Sequence, residues 1–321
     1  MSSFDPHALE CLAAIVEEGG FERAAVRLSI TQSAVSQRLR TLEAQVGTVL
    51  IVRSRPLRAT TAGRLLLKHA MQLRLLRADL EHDLLELAPG NSSAHEHERM
   101  AIAVNADSIA TWALPALTKL VVAGLPLEII TDDQDFTHEW LREGQVLGCV
   151  TALKQPLRGC KVLPLGAMHY VAVASPSFAR QHCPQGLTQH NFRAVPFIAF
   201  NRKDDLQARF VRRVLGLKRV TLNQRFVPSS EGQVRAVLAD WGASVVPELH
   251  VRKLLASGQL QNLAPGRTLP VELFWHCWNL DSVLLDSLTR ALVDAAAAAL
   301  VSGQPEPAPW GAIAARRSLA D

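Results

Sequence analysis

The chain lacks the usual marks of an enzyme, a secreted protein or a membrane protein. Its 321 residues hold no G-x-G-x-x-G or G-x-x-x-x-G-K-[ST] loop to cradle phosphates, no H-E-x-x-H zinc pair and no G-x-S-x-G nucleophile elbow. His276-Cys277 places a base beside a nucleophile, but neighbours on a strand point to opposite faces, so no catalytic residue is expected. The five cysteines, Cys11, Cys149, Cys160, Cys183 and Cys277, are scattered with no C-x-x-C pair. That excludes a disulfide framework or zinc site and leaves buried thiols. His95-Glu96-His97 has no further ligand near it in sequence, so neither a metal nor a cofactor is expected. The start, MSSFDPHALECL, has no basic segment leading into an apolar run, and no stretch is long enough to span a bilayer. The expectation is a cytoplasmic protein without a membrane partner, and at 48% hydrophobic it can build two or three cores.

Charge is unevenly shared. Residues 1 to 77 carry eleven Lys and Arg against six Asp and Glu, a net +5, and the total of +4 leaves the rest of the chain near −1. A basic N-terminal segment suits a phosphate-facing surface, because counterion release supplies much of the affinity for DNA. Within it, Val35, Leu39, Leu42 and Val46 recur at i, i+4, i+7 and i+11, one stripe of an α-helix facing a core. Ser33, Ser36, Gln37 and Arg40 form a second stripe of short hydrogen-bonding groups and one cation, suited to base edges and phosphates. Thr31 is placed to cap this helix. Upstream, Ala24 and Ala25 allow a preceding helix to approach closely, and Leu28 anchors it. Asp5-Pro6 opens a still earlier helix through Leu9, Leu12, Ala13 and Val16, which Gly19-Gly20 ends. The pattern predicts a helix-turn-helix. After it, Thr48 to Ala59 reads as a short strand, a basic tip at Arg53, Arg55 and Arg58, and a return.

FERAAVRLSITQSAVSQRLRTLEAQVG, followed by Leu50, Arg53, Arg55, Thr60-Thr61 and Gly63, closely resembles the N-terminal winged helix-turn-helix of LysR-type transcriptional regulators. One departure is Ile51, where the family usually has Phe; an apolar contact between wing and core survives that change. FERAA, ITQSAVSQR and the later NADSIATW are most similar to the ArgP/LysG branch, regulators of lysine and arginine export. The resemblance implies DNA contacts from Arg23, Gln32, Ser33, Ser36, Gln37, Arg40, Arg53 and Arg55. It also implies self-association to a dimer or tetramer, promoter DNA and RNA polymerase as partners, and a small-molecule effector.

From Thr61 a long helix is predicted. Leu66, Leu73, Leu80 and Leu87 lie seven apart, with Leu76 and Leu84 on the same side, the spacing of a paired helix. Pro89 to Arg99 reads as a hinge. Beyond it, short apolar runs near 100–104, 127–130, 148–150, 170–174, 196–200 and 243–246 alternate with helical segments, which argues for an α/β sheet. The fold class expected is therefore α/β, comprising an all-α winged helix-turn-helix (1–60), a linker and dimerisation helix (61–88), a hinge (89–99) and a regulatory domain (100–301). By resemblance the last looks like a periplasmic binding protein, with one subdomain near 100–170 plus 269–301 and the other near 171–268. The Pro- and Ala-rich tail, 302–321, reads as disordered.

Open α/β sheets bind ligands at strand ends. There Asn105, Asp107, Ser108, Thr111 and Trp112 follow the first strand, and Ser229 and Ser230 open a helix in the second half. Helix starts of this kind suit a carboxylate. A cationic amino acid also needs anions, for which Asp132-Asp133 and Asp204-Asp205 are the candidates, with Asp133 and Asp205 chosen and Thr151 added at a third strand end. The expected function is a DNA-binding regulator answering to lysine or arginine and controlling an amino-acid exporter. The alternatives are a nucleoid-like DNA-binding protein indifferent to ligand and an amino-acid-processing enzyme.

Overall fold

The computed structural model describes residues 4–54, 57–87 and 100–300. The hinge, Arg55 and the tail of the sequence reading lie outside them. Three short helices open the chain: α1 (Pro6–Glu17), α2 (Phe21–Arg27) and α3 (Gln32–Val46). Asp5 caps α1 by accepting the His7 N–H at 3.1 Å, and Thr31 caps α3 by accepting from Ala34 at 3.2 Å. Gly47 ends α3 at φ +77°, a left-handed conformation that glycine adopts without strain. Leu9, Leu12, Ile15, Val35, Leu39 and Leu42 close the core. A two-stranded wing follows, β1 (Ile51–Val52) antiparallel to β2 (Arg58–Ala59), and Ile51 is buried in that core.

The long helix α4 (Thr61–Leu87) begins against the wing so closely that a methyl on Gly63 would stand 2.2 Å from the Leu50 carbonyl oxygen. Arg74, nearly buried, ties α4 to α1 through Glu10 at 2.6 Å and Glu17 at 2.7 Å. The heptad reading is corrected at its first position, because Leu66 is buried in the chain's own N-terminal core and Leu73 packs on its edge. Leu80, by contrast, is 57% exposed, and Leu65, Leu76 and Leu84 join it in the open. The side chain of Leu87 is outside the described residues.

In the rest of the chain, β3 (Met100–Asn105) runs parallel to β4 (Leu127–Asp132) and β5 (Gly148–Thr151). Two long strands, β6 (Cys160–Ala174) and β11 (Leu269–Trp278), pair antiparallel along their length and join that group to β9 (Ser244–Pro247) and β10 (Gln261–Asn262). A second sheet holds β7 (Pro196–Ala199) parallel to β8 (Asn223–Phe226). The sequence reading found only the last third of β6, because Pro164 and Gly166 look like a break. Gly166 instead sits at φ +115° opposite a register shift between Leu273 and Phe274, where the strand pair bends from one lobe to the other.

The helices that cover the sheets are α5 (Ala106–Ser108), a π-helical turn (Ile109–Ala113), α6 (Leu114–Val122), α7 (Thr137–Arg142), α8 (Pro176–His182), α9 (Leu206–Leu215), α10 (Ser230–Leu238), α11 (Glu248–Ala256) and α12 (Val283–Ala299). From Ala106 to Val122 the backbone is one helix interrupted by the π turn. Pro115 accounts for the interruption, since it has no N–H to give to the residue four before it.

Candidate functional site

Two surfaces carry the polar groups singled out by sequence. The first is the outer face of α3. Gln32, Ser33, Gln37 and Arg40 are exposed and Ser36 is half-buried. Among the described residues, Gln37 and Arg40 have no side-chain hydrogen-bond partner, so their groups are available to an external one. Ser33 shares a hydrogen bond with Thr31 at 2.9 Å. Arg23 is less available than expected: its Nε–H is donated to the Glu18 carbonyl at the end of α1. Arg53 is exposed on the wing, with its guanidinium 5.2 Å from the centroid of Phe21.

The second is a cleft between the two lobes, a cavity of about 390 Å³ lined by Ile109, Thr111, Thr131, Phe200, Ser229 and Glu231 among others. That is a size suited to a small organic ligand. Ala106 and Phe200 are shared with an adjoining recess of about 20 Å³, whose wall carries Asp107, Asp132, Asp133 and Asp204 with Gln134, Gln207 and Gln233. Asp107 bridges the lobes. Its carboxylate accepts the Tyr170 hydroxyl at 2.7 Å and the Ser230 hydroxyl from the far side. Burial nevertheless lifts its pKa, opposed by those two bonds and by nearby His250. Asp133 is pushed up to about 7, first by burial and then by the charges of Asp204, Asp135 and Asp107, against the Asp135 N–H that lowers it. Asp204 is raised by burial and by Asp107 and Asp205, although its oxygens accept from the Phe200 and Leu206 amides at 2.9 and 2.8 Å. Three carboxylates thus line one recess with no Lys or Arg ion pair among the described residues, an arrangement that a bound cation would relieve.

The structure redistributes the sequence candidates. Thr111 and Ser229 line the cavity, each already committed: Thr111 Oγ1 donates to the Asp107 carbonyl at 2.6 Å, and Ser229 caps α10 through the Gly232 N–H at 3.1 Å. Asp205 is corrected. It stands 62% exposed at the start of α9, 3.6 Å from Arg209, while its neighbour Asp204 turns inward. Thr151 is buried behind the recess, donating to the Gln134 carbonyl at 2.9 Å, and supports the wall without lining it. Asn105 at the end of β3 and Ser108 and Trp112 on the following helix are buried and line neither the cavity nor the recess, and the Asn105 amide, Ser108 hydroxyl and Trp112 indole N–H have no partner among the described residues. Sequence reasoning weighed Asp204 but chose its neighbour, and it missed Tyr170, Gln207 and Gln233. Tyr170 carried a signal of sorts, as the chain's only tyrosine, set at the head of the apolar run 171–174.

Comparison with known proteins bears on both surfaces. Residues 6–64 match the bacterial regulatory helix-turn-helix protein family of lysR type, and residues 93–301 match the LysR substrate binding domain. The transcriptional regulator ArgP of Pseudomonas aeruginosa is 42% identical over 302 residues, covering 94% of this chain and 99% of its own. The regulator LysG of Mycobacterium tuberculosis is 42% identical over 300 residues, covering 94% and 96%. Among solved structures, ArgP from Mycobacterium tuberculosis superposes with a TM-score of 0.77 at 40% identity, covering 94% of this chain and 100% of that one. Full-length LysG from Corynebacterium glutamicum with bound effector Arg gives 0.68 at 34% identity, covering 92% and 99%. With a helix-turn-helix in front of a two-lobed ligand domain, and matches over both, the chain belongs to the LysR family of bacterial transcriptional regulators.

Proposed function

We propose that the cleft takes lysine or arginine and that its occupancy changes how the protein holds promoter DNA, at a gene for amino-acid export. The observation that carries this reading is the set of three buried carboxylates, Asp107, Asp133 and Asp204, around one recess. Such a group repels anions, gains nothing from an apolar side chain and is neutralised by an ammonium or guanidinium. The cationic head would sit at the mouth of the recess, facing its carboxylates, and the amino-acid end would lie in the larger cavity beside Ser229, Ser230 and Glu231. The arginine bound to the Corynebacterium glutamicum relative supports the same ligand class. Calorimetry on the full chain should detect lysine or arginine and give at least about tenfold weaker binding of norleucine, which leaves the carboxylates unpaired. Equal binding of norleucine would remove the effector assignment.

On the DNA side, α3 would enter the major groove with Gln32, Ser33, Ser36, Gln37 and Arg40 toward it, and Arg53 would reach the backbone from the wing. Pairing of two chains would run through the exposed stripe Leu65, Leu76, Leu80 and Leu84. Replacing Leu76 and Leu80 together by Glu should leave a monomer in sedimentation; a dimer that persists would place the subunit contact elsewhere.

A further inference from the structure

The 27-residue α4 has three occupied or available faces. One is packed in the N-terminal core through Leu66, Leu67 and Ala70, and one is the exposed leucine stripe. The third lies on the chain's own regulatory domain, where Met71 and Leu75 are buried in the same core as β3, β5 and β11. Lys68 Nζ stands 4.1 Å from the centroid of Trp278 and donates to the Arg158 carbonyl at 3.3 Å. Further along, Asp79 accepts the Leu284 N–H at 3.1 Å.

This docking is tightest at Gly144. A methyl there would lie 2.8 Å from the Lys68 backbone nitrogen and 3.1 Å from its Cα, and the residue sits at φ +76°. Gly144 follows the end of α7, bonded to the Leu141 carbonyl at 3.1 Å. The other end of α7 is built on a cleft residue. The Asp133 carbonyl accepts the Phe136 and Thr137 amides at 2.9 and 3.1 Å, and Asp133 Oδ1 accepts the Asp135 amide at 2.9 Å. Thr137 Oγ1 donates to the Val150 carbonyl at 2.6 Å and so fastens α7 to β5. A short helix of about 9 Å therefore runs from a recess carboxylate to the backbone of the linker helix.

We infer that α7 passes occupancy of the cleft to the DNA-binding domain, with Gly144 against Lys68 as the contact that transmits it. The inference rests on Asp133 receiving the effector's cation. A cation drawing on the Asp133 carboxylate competes with the Asp135 amide that opens α7, while at the opposite end α4 leaves no slack. Displacement of α7 then has to move α4, and α4 carries the helix-turn-helix with it through Arg74. Gly144 and Lys68 are positioning residues that touch neither effector nor DNA in this arrangement.

The test uses full-length parent, Gly144→Ala and Lys68→Ala, with a duplex selected for binding to the parent. Arginine and lysine affinities are measured by calorimetry, and DNA affinity and footprint length with and without the amino acid. Both variants should bind amino acid and DNA separately as the parent does. A coupling of about 5- to 150-fold, the range usual between linked sites, should fall to about twofold or less. Should Gly144→Ala fail to fold, Lys68→Ala decides: it leaves the backbone contact with Gly144 uncrowded but frees α4 from Trp278 and Arg158, the side-chain grip that holds the two backbones together, so α7 can shift without carrying α4. Full response in the folded variants overturns the inference alone. A parent that binds neither amino acid overturns the effector reading and this inference together.

Discussion

The two polar surfaces handle charge in opposite ways. On α3 the cation Arg40 and the amide of Gln37 stand in water with no side-chain partner among the described residues. In the cleft Asp107, Asp133 and Asp204 are withdrawn from water, and burial raises their pKa although each accepts internal hydrogen bonds. An exposed face costs the fold little and offers weak, salt-sensitive contacts that must be many to be strong. A buried cluster costs stability when empty and rewards only a ligand of opposite charge, which makes it a device for selectivity. One region finds DNA, and the other discriminates among small molecules.

The comparison can be broken most severely in the cleft. Asp107→Asn keeps the shape but removes a charge that Tyr170 and Ser230 hold in place, and it should weaken lysine or arginine by about 2–4 kcal/mol, measured by calorimetry. Unchanged affinity would mean the cation lies elsewhere. Arg40→Ala should weaken DNA binding by about 1–3 kcal/mol and, for a phosphate contact, reduce the salt slope by about one, with the fold intact. Effector affinity, set by buried charges, should change far less over the same range of salt.

A smaller effect sharpens the contrast. Asp133 is raised to about 7 from an ordinary value of 3.8, so the empty site retains a proton near neutrality. A cation favours the ionised form and expels that proton. Effector affinity should therefore rise by up to about tenfold per pH unit below pH 7 and level off above it. The same sign applies to folding without effector: the native state holds the proton more tightly than the unfolded chain, so this group's contribution to stability falls as pH rises from about 4 to about 7. A calorimetric affinity flat between about pH 5.5 and 7 would show that Asp133 is already ionised in the empty cleft.

The N-terminal helices were legible because their signals are periodic. Spacing alone placed Val35, Leu39 and Leu42 inside and Gln37 and Arg40 outside. The cleft is built from loops, where adjacent residues turn opposite ways and no period decides between them. Asp204 and Asp205 show this: the inward one accepts two backbone amides, while the outward one pairs with Arg209. Leu66 exposes a related limit, since a heptad cannot say whether a helix packs on its own chain or on a second copy. Gly144 gave no sign at all, because its role depends on a helix that passes it more than seventy residues away in sequence.

The grip of Arg74 on Glu10 and Glu17 makes α1 and α4 a single rigid body. A 27-residue helix is about 40 Å long, so a tilt of about 5° sweeps its far end through about 3.5 Å, close to the 3.4 Å rise of one base pair. Angular play too small to notice in a side-chain contact is thus enough to move a recognition helix by one step of the operator's ladder.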